Sequence, residues 1–260
     1  MYSPAISSKA RVIIRAGTTM EGAPETLESL TVHAGESIAV VGPTGSGKSQ
    51  LLSDIEQLAE ADTASGRRII LDSFDKPERL YGNVAHLTQK TAFLMDSRVT
   101  DFLSVHARSR GLESSAIVEK VIETANTLCG EPIKATDRIQ VLSGGQSRAL
   151  MIADIALISN APIMLIDEIE NAGIDKLKAI STLTDHNKVV FISTHDPVLI
   201  LMAHRRVVMK KGGMHSLLER SGEETYHLSH LKAMDDELTR VRDLLRKGES
   251  LKRTNSIQTI

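Results

Sequence analysis

The sequence predicts an α/β protein on a mixed, mostly parallel sheet with helices on both faces, and three observations predict it. Short β-rich runs alternate with helix-like stretches along the chain, as parallel strands joined by helical crossovers require. One such run, at 37–41, passes straight into a glycine-rich loop and then a helix. Another, at 162–166, is a compact apolar run followed by two carboxylates, Asp167 and Glu168, as befits a buried central strand whose C-terminal end carries chemistry.

In chain order, 11–15 and 37–41 read as strands, and 68–72 and 84–88 carry weaker strand signals. The runs 162–166 and 188–193 are apolar enough for central strands. Helices are expected over 48–60, 146–159, 175–184 and 197–204. The segment 98–129 differs: it has two helical stretches and no strand between them, with Gly111 as the stop. It reads as part of a helical subdomain, about 90–160, inserted between the halves of the sheet. After Lys210, Gly212 and Gly213 mark a turn. The expected organisation is a main domain over 1–213 and a C-terminal helical extension over 214–260. Within the extension Leu228, Leu231, Met234, Leu238, Val241 and Leu245 recur at three- and four-residue steps, the stripe of an amphipathic helix. Its polar positions, among them Asp235, Asp236, Glu237, Arg240 and Arg242, read as a solvated face.

Composition narrows the functional classes. The chain has 260 residues, 41% hydrophobic and 25% charged, with a formal net charge of −2. That balance suits a globular core and supplies no global positive field for nucleic acid. Aromatic residues make up 3% and there is no Trp, which argues against a stacking surface for single strands or sugars. The lone Cys129 excludes an internal disulfide and suits a reducing compartment. Residues 1–17 contain no signal-like apolar core, and no apolar run approaches the roughly 20 residues of a membrane span. A cytoplasmic location follows as the expectation, with any place at the inner face of the cell membrane borrowed from a partner.

The loop reads Gly42-Pro43-Thr44-Gly45-Ser46-Gly47-Lys48-Ser49, followed by Gln50. Its glycines let successive backbone N–H groups converge on phosphate oxygens, and the helix starting at Lys48 adds its positive end. Lys48 suits the β- and γ-phosphates, and Ser49 suits Mg²⁺. Downstream, Asp167 is positioned to hold Mg²⁺ directly or through water, and Glu168 to polarise an attacking water. A second anion cradle is written as Leu142-Ser143-Gly144-Gly145-Gln146 at the start of a helix, a hydroxyl and glycines beside bare N–H groups.

With these motifs the chain resembles the ABC (ATP-binding cassette) ATPases over roughly 11–210. The resemblance implies a P-loop fold with an inserted helical subdomain, and hydrolysis of ATP with Mg²⁺. It gives Gln89 to Mg²⁺ and to sensing of the partner, and His195, in Ser193-Thr194-His195-Asp196, to the γ-phosphate. It implies head-to-tail pairing, as a homodimer or with a second ABC subunit, in which Ser143–Gln146 of one copy closes over the nucleotide of the other. Lys48, Gln89, Glu168 and His195 are then the catalytic group, and Ser49, Gln89 and Asp167 the metal group. The leading expectation is the nucleotide-binding subunit of a transporter with a separate membrane permease. The alternative is a soluble ABC ATPase that remodels or assembles a complex.

Four departures accompany the resemblance. The aromatic that usually precedes the phosphate loop to stack on adenine is missing, since no Phe, Tyr or Trp lies between Tyr2 and Phe74. Gln50 stands where Thr is usual. The stretch after Glu168 lacks the usual proline and offers Asn171 or Asp175 as its interface residue, and the helix after Leu142–Gln146, the family's signature, lacks most of the usual arginines, keeping Arg148 and carrying Asp154 late.

Overall fold

The computed structural model describes residues 9–74, 82–88, 93, 96–112, 115–167 and 173–251. In chain order these form β1 (Arg11–Arg15), β2 (Ser29–His33), β3 (Ser37–Val41), α1 (Lys48–Glu56), β4 (Arg68–Asp72) and β5 (Val84–Leu87). Next come α2 (Val99–Ser109), α3 (Ser115–Leu128) and α4 (Gly144–Leu157), then β6 (Ile163–Asp167), α5 (Lys176–Asp185), β7 (Val189–Ser193), α6 (Pro197–Met202), β8 (Arg205–Lys210), β9 (Gly213–Glu219) and α7 (Gly222–Arg246).

The strands make two sheets. The larger has the order β5-β6-β7-β3-β8-β9, parallel throughout except for the antiparallel β8–β9 pair. The smaller, β2-β1-β4, is antiparallel. The mixed α/β architecture is therefore the one the sequence predicts.

The central strands read as apolar runs because both of their faces are covered. Ile163 and Leu165 of β6, with Val189 and Phe191 of β7, join Val12, Ile14, Leu30, Leu51 and Ile55 in one core. Their neighbours Met164, Ile166, Val190 and Ile192 join the helices α2 to α5 in the other. Alternation along the pleat thus divides each strand between the small-sheet side and the helical side.

Several boundaries differ from the sequence reading for local reasons. Helix α1 stops at Glu56, short of 60, because Leu58 and Ala61 take φ of 50° and 67°, which a continuing right-handed helix excludes. Helix α4 begins at Gly144, two residues early, because Ser143 caps it. Strands β2, β8 and β9 were not anticipated. β2 alternates buried Leu30 and Val32 with more exposed neighbours, but it becomes a strand by pairing with β1. The Gly212–Gly213 turn closes the β8–β9 hairpin, so 213–219 belong to the sheet.

The chain divides into two compact units, Met1–Glu219 and Arg220–Ile260. In the second, Ser221 opens α7 with a reciprocal cap: Glu224 N–H donates to Ser221 Oγ at 3.1 Å, and Ser221 N–H to Glu224 Oε2 at 3.0 Å. Among the described residues no helix is long and apolar enough to cross a membrane.

Candidate active site

The C-terminal ends of β3, β6 and β7 lie side by side in the large sheet, the edge at which α/β sheets bind ligands. Beyond β3 the chain turns through Gly42 (φ 152°), Gly45 (φ 78°) and Gly47 (φ 98°) before entering α1. Two of these glycines are demanded by crowding as well as by φ. A Cβ on Gly42 would lie 2.5 Å from Ser46 Oγ and 2.7 Å from Met209 O, and one on Gly47 would lie 2.7 Å from Gly212 Cα. Gly47 is also the N-cap of α1, and no side chain caps that helix. Its first N–H groups are therefore open to an anion. Lys48 curls back over the loop, donating to Gly42 O at 2.7 Å and Pro43 O at 3.2 Å. The Ser46 hydroxyl is buried with no hydrogen-bond partner among the described residues.

A cavity of about 330 Å³ opens onto this loop. Thr44, Gly45, Gly47, Lys48, Ser49 and Gln50 form one wall, and Asp167, Ser193 and His195 the other. Asp167 ends β6 and pairs in register with Ser193 at the end of β7. His195 follows the buried Thr194, whose Oγ1 accepts from Asp196 N–H at 3.0 Å. Asp196 caps α6 through Val198 and Leu199 N–H, and its other oxygen pairs with the half-buried Lys176 of α5. The histidine is thus mounted on a short segment held at both ends.

Of the predicted site residues, the structure brings Thr44, Gly45, Gly47, Lys48, Ser49, Gln50, Asp167 and His195 around one cavity. Gln89, Glu168 and Asn171 lie outside the described residues. Asp175, the other interface candidate, caps α5 by accepting from Lys178 N–H at 3.0 Å. Sequence reasoning missed two lining residues, Ser193 and Met20. Met20 is 71% exposed, and no spacing rule marks it, because a loop far upstream carries it there.

The signature turn is built differently. Ser143 caps α4 in a reciprocal box, with Gln146 N–H donating to Ser143 Oγ at 3.2 Å and Ser143 N–H to Gln146 Oε1 at 2.9 Å. Ser143 and Gly144 are exposed, and none of Leu142, Ser143, Gly144, Gly145 and Gln146 is among the described residues lining the cavity.

The family model described as ABC transporter matches residues 28–171. The chain belongs to the ABC transporter family. It is 47% identical, over 92% of its length, to an uncharacterised ABC transporter ATP-binding protein of Methanocaldococcus jannaschii, of which it covers 94%. It is 31% identical over 71% of its length to the macrolide export ATP-binding/permease protein MacB of Psychrobacter cryohalolentis, spanning 29% of that protein. Among solved structures, CbiO1 of Clostridium perfringens, part of an ABC transporter complex, shares its fold with a TM-score of 0.60 at 20% identity, covering 90% of this chain and 98% of that one. As an ABC ATPase the chain binds ATP and hydrolyses it.

Proposed function

We propose that this cassette is the nucleotide-binding subunit of an ABC transporter, working as a head-to-tail dimer beside a membrane permease carried on a separate polypeptide. The observation that carries the reading is the separation of the two anion cradles: the loop 42–49 faces the cavity, while the signature turn lies outside its described lining. A dimer in which each signature turn closes over the other copy's nucleotide gives both cradles a use. The pairing is with a second copy or a second ABC subunit, and the location is cytoplasmic, at the inner face of the cell membrane when the permease is bound.

The residues divide the work by position. Loop amides of Gly45 and Gly47, with the open N-terminus of α1, bind phosphate oxygens. Lys48 exchanges its contacts to Gly42 O and Pro43 O for the β- and γ-phosphates. His195 holds the γ-phosphate from the opposite wall, and Glu168 orients and deprotonates the water. Met20 offers the base an apolar surface where the usual aromatic is missing. Ser49 and Asp167 share the cavity, and this oxygen pair fits Mg²⁺, which keeps most of its waters and takes few protein ligands. Gln89 is assigned to the same ion by family resemblance. When bound, Mg²⁺ would neutralise charge on the β- and γ-oxygens.

Steady-state ATP hydrolysis by wild type and Glu168→Gln, with light scattering with and without nucleotide, tests the reading. Turnover by wild type, and an inactive variant that dimerises only with ATP, are the expected results. A variant as active as wild type, with no ATP-dependent dimer, overturns it. Retention on a soluble complex, in place of an integral membrane protein, would move the function to remodelling or assembly.

A further inference from the structure

Arg67, just before β4, is fully buried although it carries a permanent charge. Its guanidinium is the hub of a polar cluster drawn from distant parts of the chain. Nε and Nη2 donate to Glu25 Oε1, the former at 3.0 Å; Nη1 donates to Asp54 Oδ2 at 2.8 Å; and Nη2 donates to Gly212 O at 2.6 Å. The partners are themselves tied down. Glu25 Oε1 also accepts from Met214 N–H at 2.8 Å and Oε2 from Gly17 N–H at 3.1 Å, while Ser65 Oγ donates to Asp54 Oδ2 at 2.7 Å and accepts from Arg67 N–H.

Two arms of this cluster end at the phosphate loop. The first passes through Gly212, whose carbonyl Arg67 holds and whose N–H donates to Ser46 O at 3.0 Å. Gly212 also lies so close to Gly47 that a Cβ there would fall 2.7 Å from Gly212 Cα. The second passes through Asp54 on α1, whose Oδ1 accepts from Gln50 Nε2 at 2.9 Å. Gln50 lines the cavity two residues after Lys48. One side chain therefore fixes the β8–β9 turn against Ser46–Gly47 and fixes the first turns of α1 at the same time.

We infer that Arg67 is a positioning residue for the phosphate loop, setting its affinity for triphosphate without touching the nucleotide. The inference rests on the reading of 42–49 as the triphosphate cradle. A planar fork is required, because the acceptors lie on three segments and a guanidinium can reach them in fixed directions, whereas a Lys ammonium is a single point on a flexible stem. Amides aimed at an anion act by preorganisation, so loosening the loop lowers affinity while leaving the wall with Asp167 and His195 in place.

The test compares wild type, Arg67→Lys and Lys48→Ala for binding of ATP and of inorganic triphosphate, with kcat, KM and far-UV circular dichroism. Arg67→Lys keeps the buried charge. The expected result is a folded protein whose Kd for both ligands rises about tenfold, with kcat at saturating ATP within about twofold of wild type. Equal loss for both ligands puts the defect at the phosphates and away from the base. A folded Arg67→Lys with wild-type Kd for inorganic triphosphate overturns the inference. If Arg67→Lys does not fold, Ser65→Ala, which removes one brace on Asp54, decides: KM for ATP rising about threefold at unchanged kcat supports it, and an unchanged KM overturns it. A wild type that ignores inorganic triphosphate, or Lys48→Ala that binds it normally, sinks the cradle reading and the inference with it. Failure of Arg67→Lys to differ from a binding-competent wild type sinks the inference alone.

Discussion

The phosphate loop and the signature turn are both glycine-rich helix N-termini, but the fold treats them in opposite ways. At the first, Gly42 and Gly47 are boxed in by Met209, Ser46 and Gly212, and α1 has no side-chain cap. At the second, a Cβ on Gly144 would meet nothing within 4 Å, and Ser143 and Gln146 cap α4 from within. Gly42 and Gly47 of the first cradle are explained by atoms of this chain. Gly144 has no such explanation among the described residues, and a helix that caps itself could do without it. The difference teaches where to look for the missing reason: in the proposed dimer the signature turn would meet the other copy's nucleotide.

Substituting one glycine at each place should break the symmetry most sharply. Gly47→Ala must hold φ near 98° and push Gly212 aside, a strain of order 1–3 kcal/mol before any contact to phosphate is lost. Its affinity for ATP should fall about a hundredfold or more by calorimetric titration. Gly144→Ala is free of crowding and sits in helical backbone, where Ala is favoured over Gly by about 0.5–1 kcal/mol. It should raise the melting temperature slightly and leave ATP binding by the monomer unchanged. Its turnover should nonetheless drop about tenfold or more, because in the proposed dimer the added methyl enters the surface that meets the partner's nucleotide. Wild-type turnover in Gly144→Ala would remove the argument for closure in trans.

The same contrast explains what could be read in the sequence. That the phosphate loop, Asp167 and His195 meet around one cavity was legible, because local spacing and strand–loop–helix context place them there. The two central apolar runs were legible because burial on both faces leaves no polar alternation. Strand β2 and the β8–β9 hairpin were not, since they depend on partners elsewhere: β2 pairs with β1, and Gly212–Gly213 looks the same whether it closes a hairpin or ends a sheet. Met20 and Arg67 were equally invisible. One reaches the cavity from an upstream loop, and the other is a charged residue in a pattern that suggests exposure. Their roles arise from segments meeting in space, which no periodicity records.

Smaller effects sharpen the comparison further. Ser143→Ala removes the side-chain half of the α4 cap, worth about 1 kcal/mol. For a domain of this size the melting temperature should fall by about 2–4 °C. ATP binding by the monomer should persist, whereas loss of binding would tie the signature turn to this chain's own cavity. Met20→Ala trims the apolar rim, and a loss of up to about 1 kcal/mol should weaken ATP by no more than about fivefold. Inorganic triphosphate, which has no base, should bind as before; a matching loss would place Met20 at the phosphates.

The smallest effect falls on the far end of the signature helix. Lys188 is 4% exposed and donates to Ser159 O at 2.7 Å and Ala161 O at 2.8 Å, just beyond α4. Burial, with Arg110 nearby, pushes its pKa down to about 8, against a partial counter-effect from Asp154. The unfolded chain keeps an ordinary lysine pKa near 10.4, so between about pH 8 and pH 10 it binds more protons than the folded protein. Stability from this group therefore rises with pH across that window, and the cost of the buried charge is fully present below it. In Lys188→Met that pH-dependent gain is missing. The difference in melting temperature between wild type and variant should shift in favour of wild type from pH 7.5 to pH 9.5, while ATP affinity of the two proteins stays equal at each pH. A difference that is flat with pH would mean that Lys188 is neutralised by its surroundings at neither end of the range. A parallel change in ATP affinity would mean that the two glycine-rich turns are coupled through the sheet, and the separation drawn between them would fail.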